Sequence, residues 1–359
     1  MRILSLHCRG YRNLQDVFFE PGPDVNVIWG QNAQGKTNLL EALWLFTGGR
    51  SFRGTKDSEL VMHGTDKAEL ELCFFSEERE QTAAVSIADG RRKAELNGIP
   101  LPSPGRLVGH IGAVIFSPEH VALVRGGPAD RRVFLDAALC QIHPGYVRLL
   151  NRYQHTLSQR NALLKDIPRH RELEDTLPIW DARLVSDGEM IVRERRKYLE
   201  CLAQKAAKIY DGLSRGQEKL SLSYLCTAND FSSSLRQERE RDIRQGFTGT
   251  GPHRDDMEIL LDGCAARSCG SQGQKRSIVL SLKLAEAKML EAVSKEKPAV
   301  LLDDVLSELD NSRQDYLLNH LSGCQVFITC CEPAQVQLLQ VGKLFHTEAG
   351  TVIPGAPEE

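Results

Sequence analysis

The sequence predicts an α/β fold in which two strand-bearing ends of the chain build one head around an inserted helical lobe. Three observations predict it. A short apolar run, "VNVI", leads into the loop "WGQNAQGKT" and then into an apolar-periodic segment, in the order strand, loop, helix. Far along the chain, "PAVLLDD" is a continuous apolar run ending in two carboxylates, as suits a strand buried on both faces of a mainly parallel sheet. Between them, Val133 to about Tyr210 lacks strand signals and is rich in Arg, Leu, Gln and Glu.

The elements follow in order. "RILSLHC", "VNVIW", "AELELCFF" and "AAVSIA" have strand composition, and Asn97-Gly98 in "KAELNGIPL" is a two-residue hairpin signal. These runs predict an antiparallel sheet beside the core. Two helical patterns follow, Gly145 to Lys165 and Ile179 to Tyr210. The second carries Trp180, Leu184, Ile191, Tyr198, Leu202 and Ile209 on one stripe, and Pro168 and Pro178 bracket the link. A helix of about 30 residues spans about 45 Å, too short for a long tethering coiled coil. "MEILLDGCAAR" predicts a second hairpin turning at Asp262-Gly263. Ile278, Leu282, Ala285, Met289 and Val293 space out one face of a helix, and "CQVFITCC" predicts another buried strand. The tail "PGAPEE" predicts a frayed end. The domains expected are head residues 1–130, helical lobe 131–244 and head residues 245–359.

At 359 residues the chain can bury more than one core, and 41% hydrophobic with 26% charged residues is ordinary for a globular protein. A net charge of −3 does not exclude nucleic acid, which responds to a local basic face rather than to the total. No apolar run approaches the length of a membrane span and Met1 to Gly10 lacks a signal core, so the cytosol is expected. None of the ten cysteines forms a C-x-x-C pair, which argues against zinc; Cys73, Cys140, Cys226 and the others are expected to be reduced, mostly buried small hydrophobes.

Residues Gly30, Gln31, Asn32, Ala33, Gln34, Gly35, Lys36 and Thr37 spell a phosphate-binding loop. The glycines let backbone amides approach phosphate oxygens, Lys36 supplies a point charge to the β- and γ-phosphates, and the Thr37 hydroxyl ligates Mg²⁺. Asp303, at the end of a buried strand, would hold Mg²⁺ through water, and Asp304 would orient the attacking water. The bland reading of that pair is a cap on the next helix. "GSQGQKRS" precedes the helix around Leu282. Ser271 there can serve as an N-cap, and Ser271, Gly273 and Gln274 can also present a hydroxyl, free amides and a positive dipole end to an anion. One head cannot easily bring both this helix start and Lys36 to one γ-phosphate, whereas a second copy can.

The combination of phosphate loop, S-x-G-Q signature and "LLDDVLSELD" resembles the ABC-type ATPase head, a P-loop NTPase with a mixed sheet and an antiparallel sheet. Within that superfamily, "GYRNL", "GRSFRGTKDSEL", "FSPEHVALVRGGPADRRVFLD", "GPHRDD", "GSQGQKRS" and "LLDDVLSELD" are similar, in kind and in order, to landmarks of the SMC-like RecF family, and they span nearly the whole chain. The resemblance implies ATP and Mg²⁺ as cofactors, and an ATP-dependent homodimer in which the signature of one subunit closes on ATP held by the other. Lys36, Asp304 and Ser271 would be catalytic, and Asp310 would cross the interface. Arg12 and Asn13 match a nucleotide-contacting position, Arg50 to Arg53 would face DNA, and His253, Arg254 and Asp255 would support the interface. It further implies a slow, DNA-dependent ATPase and recombination mediator acting on duplex or gapped duplex DNA. RecR is the implied partner, acting with RecO to load RecA and support SOS induction. Asp304 stands where most such ATPases carry Glu, which suits slow turnover. Thr329, Cys330 and Cys331 occupy the switch region, and Glu119 is the nearest match to a Q-loop glutamine.

Basic clusters supply candidate DNA contacts: Arg53, the trio Arg91, Arg92 and Lys93 beside the first hairpin, the pair Arg131 and Arg132, and Arg193, Arg195, Arg196 and Lys197 on the second long helix. A single cluster is ordinarily a solvated face, but a dimer doubles each one, and phosphate contacts of this kind give affinity without reading sequence. Three other readings compete. A transporter subunit is disfavoured by the 235 residues between Lys36 and Ser271 and by the lack of a switch histidine. A tethering-type repair ATPase is disfavoured by the short lobe. A nucleotide-gated scaffold without turnover differs in its response to Asp304→Asn.

Overall fold

The computed structural model describes residues 1–332 and 342–355. Most of the "PGAPEE" tail therefore lies outside the described residues, while Pro354 and Gly355 end a strand. The chain divides into two compact units, 1–120 with 279–359, and 121–278. Both boundaries differ from those expected at 131 and 245, most of all the second: residues 245–278 pack within the second unit.

The first unit holds two six-stranded sheets. Strands β1 (Arg2–Tyr11), β2 (Leu14–Phe19), β4 (Lys67–Ser76), β5 (Arg79–Ala88), β6 (Arg91–Leu96) and β7 (Ile99–Pro100) pair antiparallel in the order β2-β1-β4-β5-β6-β7. Their alternation buries one face: Leu70, Leu72 and Phe74 of β4 are inside while Glu71 and Phe75 face out. Asn97 and Gly98 both have positive φ, as the tight β6–β7 turn requires. The other sheet runs β15-β14-β3-β13-β12-β8, from β3 (Val25–Trp29), β8 (Ala113–Phe116), β12 (Ala299–Asp303), β13 (Val326–Cys330), β14 (Gly342–Glu348) and β15 (Thr351–Gly355). It is parallel except for β15, and both ends of the chain contribute to it. β12 and β13 are buried along their whole length, which explains why they read as unbroken apolar runs. Helix α1 (Lys36–Leu45) sets Leu39, Leu40, Leu43 and Trp44 into a core shared with both sheets. Each such side chain removes apolar area from water at roughly 25 cal/mol per Å².

The second unit is mainly helical: α2 (Ala122–Arg125), α3 (Pro128–Ile142), α4 (Pro144–Asp166), α5 (Leu177–Ser214), α6 (Phe231–Gln237), α7 (Arg239–Gln245) and α8 (Ala266–Cys269). The 38 residues of α5 span about 57 Å, and its stripe of Leu184, Ile191, Tyr198, Leu202 and Ile209 is buried as the periodicity predicts. Pro178 sits in its first turn, where proline is tolerated, rather than in the link. This unit also holds a small antiparallel sheet, β11-β10-β9, from β9 (Leu220–Leu225), β10 (Asp256–Leu261) and β11 (Cys264–Ala265). That sheet is why residues 245–278 stay with the lobe. The predicted hairpin at Asp262-Gly263 exists, but β10 pairs with β9, a strand that the sequence reading missed although "LSLSYL" alternates cleanly. Helix α9 (Gln272–Ser294) begins in the second unit and continues in the first. Ile278, Leu282, Ala285 and Met289 are buried as expected, but Val293 is 54% exposed because the helix runs past the core there. Helix α10 (Asn311–His320) connects β12 to β13. The expectation of mostly buried cysteines fails: Cys8 and Cys330 are buried, Cys201, Cys264 and Cys269 are exposed, and the other five lie between.

Candidate nucleotide site

The loop between β3 and α1 is fixed by the first unit itself. Gly30 has φ 151°, and a Cβ there would come within 2.3 Å of the Thr347 carbonyl oxygen; Gly35 has φ 114°, and a Cβ there would come within 2.9 Å of Asn13 Oδ1. The turns on either side tie the loop down. Asn13 Nδ2 donates to the Ala33 carbonyl at 3.3 Å, and the amides of Ala349 and Gly350 donate to Gln34 at 2.6 and 3.2 Å. Gln31, Asn32 and Ala33 remain exposed at the crest. Lys36 is buried, with its ammonium donating to the carbonyls of Gly30 at 2.5 Å and Gln31 at 2.8 Å.

Beside the loop, three strands end together. The Thr37 hydroxyl donates to Asp303 Oδ1 at 2.8 Å, and the Thr329 hydroxyl lies 2.9 Å from the same oxygen. Thr329 Oγ1 also accepts the Asp304 amide at 2.9 Å, so at the switch position its hydroxyl braces both carboxylate residues. Asp303 is 6% exposed and has no cation within ion-pair distance among the described residues. Burial pushes its carboxyl above the usual range, against the opposing hydrogen bonds of Thr37 and Thr329. Two hard oxygens converging on an uncompensated buried carboxylate fit a magnesium ion, which Thr37 and Asp303 would hold. Asp304 is exposed and has φ 51°, a left-handed conformation that costs a non-glycine residue energy. Glu119, the Q-loop candidate, is exposed and accepts the Ser117 hydroxyl at 2.9 Å. Cys331 Sγ donates to Asn32 Oδ1 of the loop at 3.2 Å.

The sequence reading missed Glu41. It is fully buried on α1 and accepts two bonds from Arg12, at 2.9 and 3.1 Å, and two from Arg53, at 2.6 and 3.4 Å, together with the Ser51 hydroxyl. Burial raises the pKa of a carboxyl, but these donors outweigh it and hold Glu41 down at about 2. The signal was present: an acid inside the apolar run "LLEALWL", four residues after Thr37. Arg53 also donates to Asn38 Oδ1 at 2.6 Å, and Asn38 donates to Asn13 at 2.7 Å, so the cluster reaches the loop that Asn13 holds. Arg12 and Arg53 are therefore ion-paired inside the head, with only 16% and 26% of their side chains exposed.

The remaining candidates fall as follows. Ser271 and Gln274 form a reciprocal cap on α9, each side chain bonding the other's amide, at 3.2 and 2.6 Å. Gly273 follows in the first turn. Asp310 caps α10 through the Arg313 amide at 3.0 Å. Arg91 and Lys93 are exposed. Four others correct the expectation of free basic side chains. Arg92 is 7% exposed and donates to the Gly49 carbonyl at 2.6 Å; Arg131 grips Asp256 with two nitrogens at 2.7 and 2.8 Å; Arg132 donates to the Asp255 carbonyl at 2.7 Å; and Arg195 is 3% exposed against Asp136. A guanidinium near a carboxylate in a folding core is pulled inward, which a charge count along the sequence does not reveal.

With this geometry in view, relatives can be compared. Residues 2–351 match the family model described as the RecF/RecN/SMC N-terminal domain. The DNA replication and repair protein RecF of Agathobacter rectalis is 39% identical over 98% of this chain and 99% of its own length. That of Acetivibrio thermocellus is 39% identical over 92% and 94%. The solved structure of the recombination mediator protein RecF with ATP, in the RecFOR pathway, superimposes with a TM-score of 0.93 at 37% identity, covering 99% of this chain and 98% of that one. An Smc head domain from Pyrococcus furiosus matches in fold, with a TM-score of 0.56 at 18% identity. The chain belongs to the RecF family of DNA replication and repair proteins, within the RecF/RecN/SMC group.

Proposed function

We propose that this chain is an ATP- and Mg²⁺-dependent DNA-binding ATPase whose nucleotide governs the pairing of two copies on DNA. The observation that carries the reading is the Thr37–Asp303 bond of 2.8 Å, with Lys36 on the same loop. It joins a phosphate-loop hydroxyl to a strand-end carboxylate, the arrangement a metal-bound triphosphate needs. Magnesium, when bound, neutralises charge on the β- and γ-phosphates. Lys36 would exchange its carbonyl partners for phosphate oxygens, Thr37 and Asp303 would hold the metal, and Asp304 would orient water at the γ-phosphate. Ser271, Gly273 and Gln274 offer the dipole end of α9 to the nucleotide of a second copy, and Asp310 lies at that interface. The ATP-bound relative supports ATP as the nucleotide. Clamping of duplex or gapped DNA, slow DNA-dependent turnover, and work with RecR and RecO in loading RecA complete the proposal, with Arg91 and Lys93 as exposed phosphate contacts.

The test is the mass in solution with and without ATP, alongside DNA binding, for the wild type, Lys36→Met and Ser271→Arg. The wild type is expected to dimerise with ATP, Lys36→Met to remain monomeric, and Ser271→Arg to bind ATP without pairing. A wild type that stays monomeric with ATP, and binds DNA no better for it, overturns the clamp. ATP turnover that survives Asp304→Asn removes the role given to Asp304.

A further inference from the structure

Residues 246–256, "GFTGTGPHRDD", form a surface loop of the second unit between α7 and β10, and its backbone is pinned from beneath. The Thr248 amide donates to Asn161 Oδ1 at 2.8 Å, that of Gly249 to Asp242 Oδ1 at 2.9 Å, and that of Gly251 to Thr227 Oγ1 at 3.1 Å. Arg195 donates to the Pro252 carbonyl at 2.6 Å. The His253 ring sits between the Tyr153 hydroxyl at 2.7 Å and the Thr248 carbonyl at 3.0 Å, and burial drops its pKa to about 4. Asp255 accepts from Thr227 and Tyr224, and Asp256 from Arg131. Gly251, at φ 123°, lies so close to the Phe231 ring that a Cβ would approach it to 2.6 Å. Burying this many charges and polar groups is costly. A loop held so rigidly at a surface is suited to presenting what it leaves outside.

Two of its side chains are left outside. Phe247 is 39% exposed, and the exposed Arg254 sets its guanidinium over that ring, 5.1 Å from the centroid. Neither Arg254 nor Arg132 pairs with a carboxylate among the described residues, and burial, with the positive charges of Arg195 and Arg254, lowers the pKa of Arg132. The exposed Lys165 runs its stem against Gly246, 3.1 Å from where a Cβ would stand. Beside it opens a cleft of about 540 Å³ lined by Gln154, Ser158, Asn161, Lys165 and Asp166, sharing Asn161 with the loop.

We propose that this loop and cleft bind an unpaired nucleotide of a DNA strand, with a base stacked against Phe247 and flanking phosphates met by Arg254 and Lys165. Cations alone would serve any polyanion. The exposed ring adds a stacking surface that only an unpaired base can use, because a base inside continuous duplex keeps its faces covered. Gln154, Ser158, Asn161 and Asp166 offer donors and acceptors to the base edge. The inference rests on the DNA-binding reading above and gives it a site for the single-stranded part of a gap.

Anisotropy of fluorescein-labelled DNA, with ATP present, tests it on a gapped duplex and on the same duplex without a gap. Phe247→Ala changes an exposed side chain and should fold. It is expected to weaken gapped-duplex binding about tenfold, as the loss of one stacked base does, and continuous-duplex binding less than about twofold. Phe247→Trp should retain affinity, and its added indole emission should be quenched by the gapped DNA alone. Arg254→Gln should weaken both DNAs and lower the salt slope by about one. Phe247→Ala binding both DNAs like the wild type, or losing equally on both, overturns the inference and leaves the proposed function standing. So does a Phe247→Ala defect confined to a polyglutamate peptide, which would assign the surface to an acidic protein. A wild type that binds neither DNA overturns both.

Discussion

Each unit buries a cluster of charge, and the two clusters are opposite in sign at their centres. In the first unit a carboxylate, Glu41, is at the centre, and the guanidinium groups of Arg12 and Arg53 surround it. In the second, the guanidinium of Arg160 is at the centre, fully buried, with Asp181 and Asp242 at 2.7 Å each and the Thr248 hydroxyl at 2.7 Å. The anion-centred cluster leaves its cations partly exposed and is linked to the phosphate loop through Asn38 and Asn13. The cation-centred cluster hides Arg160 and Asp242 completely, leaves Arg239, bound to Asp181 at 3.2 Å, part-exposed at its edge, and fixes a loop through Thr248 and Gly249. Burial of an ion pair does not by itself mark a functional site.

The largest effect should come from the deeper cluster. Arg160→Ala leaves Asp242 buried without a cation, and is expected to cost about 3–5 kcal/mol in urea unfolding. Combining Arg160→Met with Asp242→Asn should recover more than half of that loss; no recovery would show that the cost lies in packing rather than in the orphaned charge. Glu41→Gln should cost on the order of 3 kcal/mol near neutral pH. Because the folded carboxyl titrates near about 2 rather than 4.5, its contribution is complete above the ordinary carboxyl range and disappears as pH falls through the folded value. The gap between variant and wild type should therefore narrow from pH 6 to pH 3, and a gap constant with pH would contradict the charge-based account.

Smaller changes sharpen the contrast. Arg12→Lys keeps the charge but loses the paired bonds to Glu41, and about 1–2 kcal/mol of stability is expected to go with them. Nucleotide binding should weaken with it if the partly exposed guanidinium matters beyond folding. Arg244→Ala removes a pair with Glu240 in which both side chains are largely exposed, at 70% and 89%, and unfolding should register less than about 1 kcal/mol. A loss as large as that for Arg160→Ala would erase the distinction between hidden and solvated pairs.

Much of the head was legible from local chemistry. The phosphate loop, the Asn97-Gly98 turn, the apolar strands β12 and β13 and the stripe of α5 all announce themselves within a few residues, because glycine conformation, turn type and burial period are local properties. The lobe boundary was not. The hairpin of β10 and β11 carries no mark of which sheet it joins, and only its pairing with β9 keeps it in the second unit. Glu41 was overlooked because an acid in an apolar helix reads as a surface position until its partners, 29 and 12 residues away in sequence, close around it.

By itself, then, the sequence determined the nucleotide loop, the strand-end carboxylates, the helical lobe and the kinship with the RecF family. Each of these rests on the order and spacing of residues along one segment or on motifs taken in series. Tertiary structure alone decided which arginines are surface cations and which are internal struts. The same residue type stays in water or turns to a buried carboxylate according to what folding brings near it. Arg91 stays in water and Arg131 is locked to Asp256, 125 residues away. The energy of a charge is set by its neighbours in space and by the water it loses, and neither is written in its position along the chain.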